Sequence, residues 1–79
     1  MERQKVESSL IEAIGYDLGT QTLEIEFRGW DKSKPNSIYT YRNVKPDLYA
    51  RFMAAESKGK FFGANFKPYV IEYPYRKIQ

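Results

Sequence analysis

The sequence contains no cysteine and no histidine. The first absence excludes a disulfide framework and a thiolate metal site. The second removes the ligand most used by zinc, copper and non-haem iron sites, and the imidazole that would activate Ser8, Ser9 or Ser57 as a nucleophile. No cofactor is therefore implied. No apolar run approaches the roughly 20 residues of a membrane span. Met1-Glu2-Arg3-Gln4-Lys5 opens the chain without the apolar stretch of a signal peptide. The expectation is a soluble, cytoplasmic protein with no membrane partner.

Negative charge is scarce in one part of the chain only. Residues 32 to 79 hold three acidic side chains, Asp47, Glu56 and Glu72, against ten basic ones, whereas residues 1 to 31 hold seven acidic against three basic. This asymmetry suits a polyanionic partner for the C-terminal half, by phosphate neutralisation. The alternative is an ordinary solvated basic surface. What the chain has in quantity is rings: seven Tyr, five Phe and one Trp. A chain of 79 residues buries only about 60–65% of the surface its unfolded form exposes. Rings that bury on the order of 150–250 Å² each must supply much of its core. One domain, residues 1–79, is expected, with residues 1–7 as a flexible lead-in.

The chain is organised around residues 37–63, where a strand gives way to a helix. Ser8 to Asp17 reads as a strand with both faces partly apolar, interrupted by Glu12; a helix starting from a Ser9 cap is the alternative. Asp17-Leu18-Gly19-Thr20-Gln21 has the composition of a hairpin loop, with Gly19 free to take a positive φ. Thr22 to Arg28 then alternates, with Leu23, Ile25 and Phe27 on one face and Glu24 and Glu26 on the wet one. Residues 29–36 form a loop in which Trp30 either caps the core edge or offers a stacking face. The third strand, Ser37 to Val44, sets Tyr39 and Tyr41 on the core face, leaving Thr40 and Arg42 outward. Buried, each phenol would ask for a hydrogen-bond partner.

Pro46 to about Glu56 is helical: Leu48, Phe52 and Ala55 form a stripe widened by Tyr49 and Met53, and Asp47 suits the positive end of the helix dipole. Ser57 caps a second, shorter helix carrying Phe62 and Phe66 and ended by Pro68. Residues 69–76, interrupted by Pro74, read as an extended tail docked along a sheet edge. The fold class is α+β: an antiparallel three-stranded meander against one long and one short helix.

Catalytic chemistry finds little support. Glu24 and Glu26 share a face, but alternating glutamates on the wet side of a strand solubilise it. Ser57-Lys58 reads as a helix cap beside an exposed cation. Lys58-Gly59-Lys60-Phe61-Phe62-Gly63 mimics the basic and aromatic signature of an RNA-recognition motif, yet it follows a helix and starts another rather than forming a strand. It lacks the upstream glycine of a P-loop. Amides near Ser57 to Lys60, with the two lysines, are either a phosphate site at a helix N-terminus or a solvated basic turn.

The order of these pieces resembles the KTSC domain family. The similarity runs from Ser8 to Ile78. It is carried by Ser8-Ser9, Ile14-Gly15-Tyr16-Asp17, Leu23-Glu24-Ile25-Glu26-Phe27, Tyr39-Thr40-Tyr41 with Val44, Ser57-Lys58-Gly59 with Phe61-Phe62, and Tyr73-Pro74-Tyr75. The lysine-bearing loop with Trp30 is longer here than in the family pattern. Such domains occur at the C-terminus of some lysyl-tRNA synthetases and as free-standing bacterial and phage proteins. The resemblance implies a small non-catalytic accessory domain, and the synthetase context suggests RNA, either tRNA or a single strand, as partner. Lys58, Lys60, Lys67, Arg76 and Lys77 are then the candidate phosphate contacts, followed by Arg42 and Lys45, with Tyr39 or Tyr41 as stacking faces where exposed. The alternative is a protein-interaction module anchored by Trp30 and the tyrosines.

Overall fold

The computed structural model describes every residue of the chain except Trp30 and Lys32, so both readings of Trp30 lie outside the described residues. Five strands, β1 (Arg3–Lys5), β2 (Ile11–Asp17), β3 (Thr22–Phe27), β4 (Ser37–Tyr41) and β5 (Tyr75–Lys77), form one antiparallel sheet in the order β1-β2-β3-β4-β5. Two helices, α1 (Pro46–Ala54) and α2 (Lys58–Asn65), stand between β4 and β5 in the chain. The α+β class and the presence of two helices are as expected, but the helices are nearly equal, nine and eight residues rather than one long and one short, and the meander has five strands rather than three. No helix of the described residues is long and apolar enough to cross a membrane.

Both additional strands are sheet edges. Residues 1–7 are not a loose lead-in: Arg3, Gln4 and Lys5 pair with Gly15, Ile14 and Ala13. Two features of the sequence hold that segment in place. Gly15 lets the N-terminal backbone approach, since a Cβ there would lie 2.6 Å from the Glu2 carbonyl oxygen. Glu24 and Glu26, expected in water, draw Arg3 over them: its guanidinium donates to Glu24 and, at 3.3 Å, to Glu26. Asn36 donates to Glu26 as well, at 2.9 Å. Glu24 is buried as a result, and a buried carboxylate is tolerated only when paired in this way. At the other edge, only Tyr75–Lys77 of the tail is strand; residues 70–72 form a turn and the chain bends at Tyr73.

Irregularity in β2 accounts for its mixed faces. A register shift between Ile11 and Ala13 sets Ile11 opposite Phe27 and Ile14 opposite Ile25. Strict alternation would send Ile11 and Ile14 to opposite faces; the extra residue of a bulge lets both be fully buried in one core. Glu12 meets Arg28 at 2.5 Å and Lys5 at 3.9 Å. The helix alternative at Ser9 does not form. Instead the Ser8 hydroxyl accepts the amides of Leu10 and Ile11, and the chain turns into the strand. In the next loop Gln21, not Gly19, takes the positive φ, at 53°. The Asp17 carboxylate accepts the Gly19 amide, so the turn tightens early and its left-handed residue falls at its end.

The core lies between one sheet face and the helices. Leu23, Ile25 and Tyr41 meet Leu48 and Phe52 of α1, together with Val44 and Phe66. α1 opens with Pro46 in its first turn and Asp47 beside it. Tyr16 of β2 stacks on Tyr49 at 4.3 Å and donates to the Val44 carbonyl, fixing the strand-to-helix corner. Ser57 caps α2 by accepting the Lys60 amide at 3.2 Å. No residue within α2 is fully buried, so its anchor is Phe66, the residue directly after it.

Candidate functional site

Register carries two of the predicted residues to one place. Tyr41 stands opposite Leu23 on β3 and Tyr75 on β5, while Tyr39 stands opposite Ile25 and Lys77. The three tyrosine rings form a triangle, with centroids 6.5 Å apart between Tyr39 and Tyr41, 5.9 Å between Tyr39 and Tyr75, and 6.0 Å between Tyr41 and Tyr75. Phe27 meets Tyr39 edge-on at 5.8 Å and Phe62 at 5.0 Å, closing the side toward α2. An open groove of about 520 Å³ is lined by these rings with Leu10, Val70, Ser37 and one cation, Lys67.

The three rings differ in exposure. Tyr41 is 6% exposed, Tyr39 is half-buried, and Tyr75 is 56% exposed at the groove mouth. Burial pushes the Tyr41 phenol well above its ordinary pKa, with smaller contributions from Tyr39 and Tyr75. The hydroxyl consequently stays protonated at any physiological pH and is available as a donor.

On the other face of the β4–β5 pair, a second groove of about 460 Å³ is lined by Arg42, Arg76, Thr22, Thr40, Pro74 and Tyr75. Thr40 and Arg76 are register partners, and the Arg42 amide donates to the Pro74 carbonyl at 3.0 Å. Tyr75 lines both grooves, and neither lining includes a carboxylate.

The expected set divides. Tyr39, Tyr41 and Lys67 line the aromatic groove, Arg42 and Arg76 line the second, and exposed Lys77 shares the β5 edge. Lys45, Lys58 and Lys60 line neither. Lys45 is the exposed N-cap residue of α1. The Lys58 ammonium turns back to donate to the Ala55 carbonyl at 2.8 Å, complementing the C-terminal end of α1. The Lys60 amide is engaged by the Ser57 hydroxyl while its side chain is exposed. Tyr75, Phe27 and Phe62 were not singled out from the sequence as groove residues. Tyr73-Pro74-Tyr75 was the available signal, since a tyrosine just after a strand-edge proline resumes alternation opposite Tyr41.

A five-stranded meander covered on one face by two short helices, with an open aromatic groove beside its last strand, defines a small α+β domain. Residues 7–69 match the family model described as the KTSC domain. The chain belongs to the KTSC domain family. It is 42% identical to a protein of Tsukamurella paurometabola over 65 residues, which is 82% of this chain and 88% of that one. It is 33% identical to an uncharacterised protein of Stutzerimonas stutzeri over 73 residues, 92% of this chain and 94% of the relative. Among solved structures, the crystal structure of a KTSC domain protein from Yersinia pestis superimposes with a TM-score of 0.82 at 38% identity, covering 99% of this chain and 97% of that one.

Proposed function

We propose that this domain is a non-catalytic accessory module that binds RNA as a single strand across its β4–β5 edge. The observation that carries this reading is the position of Tyr75 between two grooves, one lined with rings and one with guanidinium and hydroxyl groups, neither holding a carboxylate. Single strands are bound by a cationic track for phosphates beside aromatic faces for bases, and this edge supplies both within one side chain's width. Arg42, Arg76, Lys67 and Lys77 would take the phosphates, and Tyr75 and Tyr39 the stacking.

The test is binding of the purified protein to labelled tRNA and to a short single-stranded RNA across a salt series. Four phosphate contacts give a log–log salt slope of about −2.8 on a single strand, and the Arg42→Ala/Arg76→Ala pair should flatten it by about 1.4. An equal flattening by Lys45→Ala/Lys60→Ala would move the phosphate path to the helix N-termini instead.

One observation favours the protein-interaction reading. Ile71 is 88% exposed, and Tyr69 and Val70 are close to half exposed on the same turn, which is a dense apolar rim for so small a domain. Salt-tolerant capture of a protein, abolished by Ile71→Ser, would support that reading over the first.

A further inference from the structure

Tyr41 is nine-tenths buried, and its hydroxyl makes no hydrogen bond to any described residue. Buried phenols ordinarily find a partner. Among the described residues, no buried side-chain nitrogen or oxygen is sealed from solvent without one. The Tyr41 hydroxyl therefore meets solvent, and the space its side chain lines is the aromatic groove.

Packing alone gives no reason for a hydroxyl there. The Tyr41 ring lies 5.6 Å from Phe62 and 6.1 Å from Phe66, in surroundings that a phenylalanine would fill equally well. A donor on the lining of an apolar groove, bonded to water rather than to protein in the free domain, can be taken over by an incoming acceptor.

We infer that this groove holds one unstacked nucleobase, its faces against the Tyr39, Tyr75 and Phe62 rings and an acceptor on its edge receiving the Tyr41 hydroxyl. The inference rests on the RNA reading above and names what that reading leaves open, the element that inspects the base. The groove, at about 520 Å³, lies within the usual range of roughly 300–1,000 Å³ for sites that take small ring systems. Lys67 on its lining suits the phosphate of the same nucleotide. Bases within a duplex cannot present their faces to such a groove, so the ligand is a single strand or an extruded base.

The experiment compares short oligo(U), oligo(A) and fully abasic strands of equal length, each titrated into the full chain, Tyr41→Phe and Tyr75→Ala. The wild type should bind the base-bearing strands roughly five- to a hundredfold more tightly than the abasic strand. Tyr41→Phe keeps the ring and should narrow that ratio by roughly three- to tenfold, leaving abasic binding unchanged. Tyr75→Ala, at an exposed ring, should narrow it independently of any effect on folding. An unchanged ratio in Tyr41→Phe, or equal wild-type binding of abasic and base-bearing strands, overturns the groove inference and leaves the phosphate reading standing. Absence of binding to all three strands at low salt overturns both and leaves the apolar rim to a protein partner.

Discussion

Replacing Phe66 with alanine should release α2 from the domain. The helix contributes no fully buried residue of its own, whereas Phe66 is completely buried. Its ring lies 5.3 Å from Phe52 of α1, 5.4 Å from Tyr73, 6.0 Å from Phe62, 6.1 Å from Tyr41 and 6.2 Å from Phe61. Truncating a fully buried phenylalanine costs about 3–5 kcal/mol. At about 0.05–0.15 kcal/mol per residue, a chain of this length has some 4–12 kcal/mol in all, so the loss is at least a quarter of the total. In a domain of this size it should lower the melting temperature by about 12 °C or more. Urea unfolding measures the loss, and amide exchange locates it. The amides of Phe61 and Lys67, bonded to the carbonyls of Ser57 and Phe62, should lose protection before those of β3. Phe62→Ala, at a half-buried ring in the same helix, should cost only about 1–2 kcal/mol. A loss below about 1 kcal/mol for Phe66→Ala, or equal losses for the two variants, would refute the assignment of Phe66 as the anchor.

Two further outcomes concern the edge and the groove floor. Gly15→Ala places a methyl group 2.6 Å from the Glu2 carbonyl oxygen, so β1 must shift; we expect a cost of about 1–3 kcal/mol, with faster exchange of the Val6 amide, which bonds the Glu12 carbonyl. Stability should also fall in alkali. Burial raises the folded-state pKa of Tyr41, and Tyr16 shifts the same way. Their contribution is therefore complete below the unfolded phenol pKa of about 10 and is lost as pH rises beyond it toward the folded values. The urea midpoint measured from pH 8 to 11.5 should decline above about pH 10, and Tyr41→Phe should reduce that decline, leaving the part due to Tyr16.

Legibility followed local chemistry. The regular alternation of residues 22–27 and the Pro46, Asp47 and Ser57 signals place β3, α1 and α2 where they form, because each rests on contacts within a few residues. The partition of β4 was legible too, since Tyr39 and Tyr41 pair with Ile25 and Leu23 on the helix side. The docking of the tail on a sheet edge was legible as well, though only Tyr75–Lys77 of it is strand; the N-terminal edge strand was not. Arg3-Gln4-Lys5 has no apolar residue to signal a strand; it is held by backbone pairing, by Gly15 opposite and by an ion pair to Glu24 more than 20 residues away. Periodicity also failed in β2, where a bulge shifts the alternation between Ile11 and Ile14. Of the candidate site, the sequence shows the lysines only as members of a basic C-terminal half. The fold distributes them by direction, sending the Lys58 ammonium to a helix end and Lys67 to a groove.

The family match and the candidate site do not have the same boundaries. Residues 7–69 match the family model and contain β2, β3, β4, α1 and α2; the two edge strands fall on either side of that span. Within it lie Tyr39, Tyr41, Phe62 and Lys67, which line one wall and the floor of the aromatic groove. Outside it lie Tyr75 and Arg76, which complete that groove and build the second. The similar Yersinia pestis structure aligns over 99% of this chain, so the edge strands belong to a fold that extends past the matched segment. The matched segment can therefore supply the buried donor and the core, while the terminal strand supplies the exposed ring and guanidinium. Changes confined to residues 74–78 should then reshape both grooves without disturbing Phe52 and Phe66 at the centre of the domain, because only Tyr75 of that strand reaches the ring cluster.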